Sequence, residues 1–354
     1  MPRLPDCRAS PIVQRFSGMT SDASFAWLAL ADGRLVLGHG PFRESADPPQ
    51  SGTAFHLQDF ALADPRPWKH PSRVEVLSAA DAADRFPHHP VPAITWQAPS
   101  TAPFAIVFEE VLQAIRAGVF EKTVPVVIEI GKCGSAAAPA ITAAMVRQKP
   151  PLMTYGWSDD GVGFAGATPE LLVAIEGPEL HTMALAGTAR CEDRDAFEAD
   201  DKEIREHEYV AQSLVSKLTD LGEVRRSPRE ILPLGSIVHF LSRIRVTLHE
   251  PIQPDALIRR LHPTAALGPL PRTPHTLEML LDWRRRLECP AGFGAPFGLL
   301  HNGRFHSVVA IRGIWWHPQQ LLLPAGCGII EASRLAQEWR ELRLKREAVK
   351  AFLA

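Results

Sequence analysis

Strand-like segments separated by turns recur along much of this 354-residue chain, and helical segments interrupt them at irregular intervals. Residues 123–130 (TVPVVIEI) are rich in β-branched side chains and predict a strand. The same reasoning predicts three short strands with turns between them, at 153–157, 163–166 and 171–175. It also predicts a pair of longer strands, at 305–316 and 320–330. Because no βαβ rhythm connects these segments, we expect an α+β fold with large antiparallel β-sheets packed as a sandwich with flanking helices.

Apolar residues at helical spacing predict helices over residues 104–116, 200–218 and about 335–353. Residues 24–38 predict a hairpin that turns at Asp32-Gly33. Prolines crowd the first hundred residues, which we interpret as a variable N-terminal part of the fold. Residues 101–354 are interpreted as the main part of the fold, and both parts are expected to form one structural domain overall.

Charge and cysteine usage exclude several classes of protein. Lys and Arg number 38 against 40 Asp and Glu, so no net positive charge attracts nucleic acid or an anionic membrane. The five cysteines are scattered and form no CxxC, which disfavours a zinc ribbon or a disulfide framework. No apolar run approaches the ~20 residues that span a bilayer, and residues 1–16 lack a signal-peptide core. A cytoplasmic protein is expected.

Two acidic pairs are the strongest local feature. Glu203 and Glu206 are three residues apart, as are Glu338 and Glu341, so each pair lies on one helix face. Two such helices facing each other would supply four carboxylates, a set of hard oxygen ligands suited to Mg²⁺. The alternative is two solvated helix faces with salt bridges such as Glu341 to Lys345.

Three further segments combine small or acidic residues with apolar strands. The 185–188 segment (LAGT) is either a glycine-containing anion site or an ordinary turn. Gly326 and Gly328 lie in an apolar strand, where they indicate either a bulge beside a ligand or tight sheet packing. Glu170, in Thr-Pro-Glu, is either a half-buried acid or an exposed edge residue.

The order of these motifs carries more information than any one of them. Along the chain come Ala-Gly-Thr at 186–188, KEIREH at 202–207, HPTAALGPLPR at 262–272, GCGII at 326–330 and EWRE at 338–341. This series resembles the chorismate-utilising enzymes, which include isochorismate synthase, salicylate synthase and the large subunits of anthranilate and aminodeoxychorismate synthase. The resemblance covers roughly residues 100–354, so 101–354 would be the chorismate-binding core, and the N-terminal part is shorter than usual.

The resemblance implies a role for each matching residue. Lys122 matches the general-base lysine and Glu170 the general-acid glutamate. The four acidic residues match the Mg²⁺ carboxylates, with Glu206 and Glu341 as the direct ligands and Glu203 and Glu338 beside them. The positions that match substrate-binding residues are Gly187, Thr188, His239, Ala266, Arg312, Gly326, Gly328 and Lys345.

The chemistry of the family requires these residue types. Chorismate is a dianion, and water adds at its C2 as the C4 hydroxyl leaves, so a base must accept a proton and an acid must donate one. A glutamate serves as the acid only when protonated, which burial favours. Mg²⁺ neutralises and orients a carboxylate, and glycine N–H groups bind another.

Two alanines distinguish among the members of the family. Ala186 stands where aminodeoxychorismate synthases carry a lysine, and Ala266 stands where the amine-transferring and salicylate enzymes usually carry threonine. Isochorismate synthase is therefore favoured, with Phe293 in place of a usual tyrosine and Pro125 near the base as departures from the family pattern.

The alternatives are a salicylate synthase, which would also eliminate pyruvate, and a non-catalytic chorismate-binding protein. We expect a monomer or homodimer that binds chorismate, without a nucleic-acid or membrane partner. The downstream product, whether menaquinone, a siderophore or another salicylate-derived compound, stays open.

Overall fold

A computed structural model describes residues 24–132, 137–318 and 320–354. The strands in chain order are β1 Phe25–Ala29, β2 Leu35–His39, β3 Arg43–Ser45, β4 Thr53–Leu57, β5 Trp68–His70, β6 Arg73–Leu77, β7 Thr95–Gln97, β8 Val126–Lys132, β9 Met153–Asp159, β10 Val162–Thr168, β11 Leu171–Glu176, β12 Glu179–Arg190, β13 Gly222–Arg226, β14 Glu230–Leu234, β15 Ile237–Leu248, β16 Pro296–His301, β17 Arg304–Val309, β18 Gly313–His317 and β19 Gln320–Gly326. The α-helices are α1 Ala79–Arg85, α2 Thr101–Arg116, α3 Ala137–Val146, α4 Arg194–Glu198, α5 Asp201–Leu218, α6 Pro254–Leu261, α7 Pro274–Arg286 and α8 Leu335–Lys350, with 3₁₀ turns at Cys191–Asp193 and Ala351–Leu353.

These strands form two antiparallel sheets. The first runs β6-β2-β1-β9-β10-β18-β19-β8-β7, and the second runs β13-β15-β12-β11-β17-β16-β4-β5-β3 with β14 beside β15. The expected α+β fold with large antiparallel sheets is therefore confirmed. Strands that precede residue 100 contribute to both sheets, since β1 pairs with β9 and β4 pairs with β16.

Apolar side chains fill the space between the sheets and cover their outer faces. Residues such as Leu28 and Tyr155 of the first sheet and Phe297 of the second share one buried cluster. A larger cluster joins the second sheet to α2, α5, α6 and α7. No helix within the described residues is long and apolar enough to cross a membrane.

The predicted strand over residues 305–316 was wrong, because two strands in different sheets occupy that segment. β17 pairs in the second sheet and β18 pairs in the first, so the chain crosses between sheets at residues 310–312. Arg312 has φ 55° at this crossing, a left-handed conformation that a continuous strand does not contain. The Tyr155 phenol donates to the Ile311 carbonyl at 2.8 Å, and Ala167 N–H donates to the Arg312 carbonyl at 3.1 Å.

The other predicted elements agree with the structure, apart from their ends. The hairpin is β1-β2, and the three predicted helices correspond to α2, α5 and α8. The predicted strand at 123–130 begins only at Val126, and Thr123 makes an isolated bridge to Ile329. The predicted strand at 320–330 ends at Gly326 and pairs with β18, as expected.

Tyr155→Phe tests the support of the crossing. Removing the phenol leaves the Ile311 carbonyl without its donor, so the free energy of unfolding should fall by ~1–2 kcal/mol in urea denaturation. The matched control is Tyr209→Phe, because Tyr209 is partly exposed and its hydroxyl contacts the surface residue Arg205. That change should cost less than ~0.5 kcal/mol. Equal losses in the two variants would contradict this role for Tyr155.

Candidate active site

One pocket gathers most of the sequence-predicted site residues. Its wall includes Leu185 and Ala186 of β12, Phe293, and the predicted residues Glu170, Gly187, Thr188, Glu206, His239, Ala266, Arg312, Gly326, Gly328 and Lys345. The remaining predicted residues, Lys122, Glu203, Glu338 and Glu341, connect to this wall through ion pairs. The elements that meet here are the ends of β10, β12 and β19, the crossing at Arg312, and the helices α5 and α8.

Lys122 lies fully buried beside the pocket. Its Nζ donates to the Ala265 carbonyl at 2.6 Å and is 3.2 Å from Oε1 of Glu206. The backbone of Lys122 also bonds to Leu270 in both directions, at 3.3 and 2.8 Å. The loop that carries Ala266 is thus held directly against this lysine.

Glu170 is a buried acid in the pocket wall. Burial raises the pKa of its carboxyl to about 7, against the opposing charges of Lys122, Lys345 and Arg312. The hydroxyl of Thr264 makes a long contact of 3.5 Å with Oε1 of Glu170 and accepts from the Ala266 N–H at 3.3 Å. The carboxyl is therefore partly protonated near neutral pH, as a proton donor requires.

Arg312 and His239 form a hydrogen-bonded chain at the pocket wall. Nδ1–H of His239 donates to the Gly187 carbonyl at 2.7 Å, which leaves Nε2 to accept from Nη2 of Arg312 at 2.7 Å. Burial and the Arg312 charge hold the pKa of His239 well below its usual value, so the ring is neutral. Both ring nitrogens are thus engaged, and His239 orients the guanidinium.

Arg312 is suited to bind an anion. Its side chain is buried, which lowers its pKa to about 10 and leaves it charged. Among the described residues Arg312 forms no ion pair, although Glu341 and Glu170 are near enough to affect it. A buried guanidinium without a carboxylate partner favours an anionic ligand in the pocket.

The two acidic pairs face each other across α5 and α8, and lysines stand between them. Lys202 Nζ is 2.8 Å from Glu203 and 3.1 Å from Glu338, and Lys345 Nζ is 2.5 Å from Glu341. Among the described residues no group of three or more His, Cys, Asp or Glu side chains already surrounds a point that could hold a metal. The acidic pairs are not the solvated faces of the alternative interpretation, because all four glutamates are buried.

The acidic cluster nevertheless fits a divalent cation. In the part of the chain that the structure describes, Oε2 of Glu206 and both carboxyl oxygens of Glu338 are buried and accept no regular hydrogen bond, although Lys202 lies beside them. Burial and the repulsion of Glu206 and Glu341 raise the pKa of Glu203 to about 8, and burial with Glu341 raises that of Glu338 to about 7. Carboxylate oxygens are hard ligands that Mg²⁺ prefers, and a bound cation would favour the ionised form of these carboxyls.

The glycines allow close approach of charged groups. A Cβ on Gly328 would lie 2.1 Å from Oε1 of Glu206 and 2.6 Å from Cε of Lys122, so no larger residue fits there without displacing them. Gly187 has φ 76°, and the next residue, Thr188, donates its N–H to Oε2 of Glu203 at 2.9 Å. This amide therefore stabilises the acidic cluster in the observed arrangement.

Sequence reasoning missed two residues of the site. Thr264 contacts Glu170, and its signal was its position within the HPTAA segment. Lys202 lies among three of the four glutamates, and its signal was its place before the first acidic pair. The structure also separates two neighbouring alanines: Ala266 lines the pocket, whereas Ala265 turns its carbonyl to Lys122.

Comparisons with known proteins find relatives of this chain. A family model described as chorismate binding enzyme matches residues 66–354. The salicylate biosynthesis isochorismate synthase of Pseudomonas aeruginosa is 34% identical over 206 residues, 54% of this chain and 42% of that protein. Isochorismate synthase MenF of Haemophilus influenzae is 29% identical over 191 residues, 51% of this chain and 44% of its own length. The alignments thus span less than half of these relatives.

A solved structure of an isochorismate synthase has a similar fold. The structure of MenF, the menaquinone-specific isochorismate synthase from Escherichia coli, superposes with a TM-score of 0.78 at 21% identity, covering 96% of this chain and 90% of that chain. This similarity establishes the fold.

The raised pKa of Glu170 predicts a pH dependence of stability. Because the folded pKa is about 7 and the ordinary value is 4.5, the stability that this carboxyl contributes is full below pH 4.5 and is lost as the pH rises through about 7. The side chain of Glu170→Gln does not ionise, so the variant lacks this loss of stability. In urea denaturation, the unfolding free energy of the variant minus that of wild type should therefore rise between pH 4.5 and about 7. A difference that is constant from pH 4.5 to 7.5 would contradict the raised pKa.

Proposed function

Because this chain belongs to the chorismate binding enzyme family, we propose that it is an isochorismate synthase, an isomerase that converts chorismate to isochorismate. Water adds at C2 while the C4 hydroxyl leaves. The observation that carries the proposal is the combination, around one pocket, of a partly protonated Glu170, the buried Lys122 and Arg312, which forms no ion pair with the described residues. An acid, a base and an anion-binding group are what this reaction needs.

Glu170 is the proposed general acid. Its proton goes to the C4 oxygen as the C4–O bond breaks, and the leaving group departs as water. A carboxyl with a pKa of about 7 is well matched to this role near neutral pH. The contact with Thr264 fixes the orientation of the carboxyl without adding charge.

Lys122 is the proposed general base. The nitrogen must be a free amine to accept the proton of the attacking water, so its contact with Glu206 at 3.2 Å has to loosen before that step. The Ala265 carbonyl at 2.6 Å keeps the amine directed toward the loop beside the pocket. The net reaction adds one water and releases one, so atoms and charges balance.

The substrate is proposed to bind as a dianion. Arg312, oriented by His239, would pair with one carboxylate, and Lys345 and the backbone near Gly326 line the same wall. Glu206 and Glu341 would hold Mg²⁺ directly, with Glu203 and Glu338 beside them. When bound, Mg²⁺ neutralises and orients a substrate carboxylate.

Isochorismate synthase is favoured over salicylate synthase by the pocket wall at Ala266. A methyl group there leaves room for the attacking water and offers no hydroxyl to a different nucleophile. The alanine at 186, which also lines the pocket, cannot act as a nucleophile. We also propose that the protein is cytoplasmic. Its proposed binding partner is the small molecule chorismate, and no nucleic acid or membrane takes part.

Incubation of the protein with chorismate and Mg²⁺, with products separated by chromatography, tests the proposal. Isochorismate should form without pyruvate, and excess EDTA should stop turnover until Mg²⁺ is restored. Glu206→Gln or Lys122→Ala should each reduce the rate by at least ~10²-fold, through loss of a charged metal ligand or of the base. Pyruvate released in step with chorismate loss would establish the salicylate synthase alternative. Binding without turnover would establish the non-catalytic one.

Ala266→Thr tests the choice of nucleophile. The added hydroxyl should lower isochorismate formation and raise by-products, either pyruvate or an aminated product when ammonium is present. A change of ~1–2 kcal/mol between competing transition states would alter the product ratio by roughly 10-fold. Ala265→Thr is the matched control, because Ala265 lies outside the pocket wall and should affect the rate without changing the ratio. If wild type and Ala266→Thr give the same product ratio, Ala266 does not select the nucleophile.

A further inference from the structure

Lys202 occupies the space between the two acidic helices. Its Nζ lies 2.8 Å from Oε1 of Glu203, 3.1 Å from Oε1 of Glu338 and 3.8 Å from Oε2 of Glu206. Glu203 and Glu206 belong to α5 and Glu338 belongs to α8, so this one ammonium group contacts carboxyl groups from both helices.

The first turn of α5 fixes Lys202 in this position. Oδ1 of Asp200 accepts the N–H of Lys202 at 2.9 Å and that of Glu203 at 3.1 Å, which caps the helix. The side chain of Lys202 is only 17% exposed, so its charge has left bulk water for the acidic cluster. A buried ammonium is retained only where negative groups compensate for its desolvation.

Two of the carboxyl groups that Lys202 approaches hold oxygens without a regular hydrogen bond. Within the described residues, Oε2 of Glu206 and both oxygens of Glu338 lack one, and Lys202 Nζ is 3.8 Å from Oε2 of Glu206 and 3.1 Å from Oε1 of Glu338. A divalent cation held directly by Glu206 and Glu341 would share Glu206 with Lys202, because hard cations bind carboxylates through direct contacts. Lys202 and the cation therefore compete for Glu206 and for the negative charge of the whole cluster.

We propose that Lys202 is a built-in counter-cation of the acidic cluster, which holds the two acidic helices together without a metal and weakens the affinity of the cluster for Mg²⁺. The proposal rests on the proposed function in one respect, namely that the cluster binds Mg²⁺. The affinity for Mg²⁺ then depends on the displacement of Lys202 as well as on the four carboxylates. Bound Mg²⁺ would therefore dissociate more readily than from the same four carboxylates without a lysine between them.

Lys202→Met tests the proposal through metal binding and thermal stability, without an activity assay. Titration of MgCl₂ into the metal-free protein in a calorimeter should give a dissociation constant at least ~10-fold lower for the variant, since one repelling charge and one competitor are removed. In EDTA the variant should melt at least ~3 °C below wild type, because the repulsion among the carboxylates then loses the compensation that Lys202 supplies. Mg²⁺ should reverse that loss.

Matched variants separate this role from a structural one. Lys202→Gln removes the charge with less change in polarity and should bind Mg²⁺ as tightly as Lys202→Met, whereas Lys202→Arg should resemble wild type. Arg205→Met removes a charge from the exposed face of the same helical turn and should change neither quantity.

Two results would overturn the proposal. If wild type binds Mg²⁺ and both neutral variants bind it equally or more weakly, Lys202 is a structural ion-pair partner, and the proposed metal site survives. If wild type and the neutral variants all fail to bind Mg²⁺, the proposal and the metal part of the proposed function fail together.

Discussion

The burial of four glutamates between two helices is the constraint on which the site depends. Carboxylates removed from water repel one another and must be neutralised, and in this structure lysines at 122, 202 and 345 supply the opposite charge. Three ammonium groups facing four carboxyl groups leave an excess of acid. The raised pKa values of Glu203 and Glu338 express that excess, and a divalent cation would relieve it.

The acidic cluster and the substrate pocket are coupled through shared residues. Glu206 belongs to the cluster, lines the pocket and contacts Lys122, and Lys345 joins Glu341 to the Gly326 carbonyl at 2.9 Å. A change in the charge of the cluster therefore reaches the proposed base within one contact. Gly328 makes this proximity possible, because any side chain there would separate Glu206 from Lys122.

Much of the fold and site could be predicted from local sequence, and the failures have physical causes. Helical period located α2 and α5, and the Asp32-Gly33 turn located the β1-β2 hairpin, because those elements depend on their own residues. The crossing at Arg312 was missed, since it depends on a hydrogen bond from Tyr155, about 156 positions away in sequence. Motif order predicted which residues line the pocket. It could not predict that both nitrogens of His239 are engaged or that Lys202 contacts α8, because each depends on tertiary neighbours.

The most direct test of the acidic cluster as a cation site is anomalous diffraction from crystals soaked in Mn²⁺, a hard cation that takes carboxylate ligands as Mg²⁺ does. One strong anomalous peak is expected between α5 and α8, within coordination distance of Glu206 and Glu341, and Lys202 Nζ should then lie farther than 3.1 Å from Glu338. Crystals of Glu206→Gln soaked identically should show a much weaker peak. Wild-type crystals without a peak at the cluster, and with Lys202 still in contact with Glu338, would contradict the account.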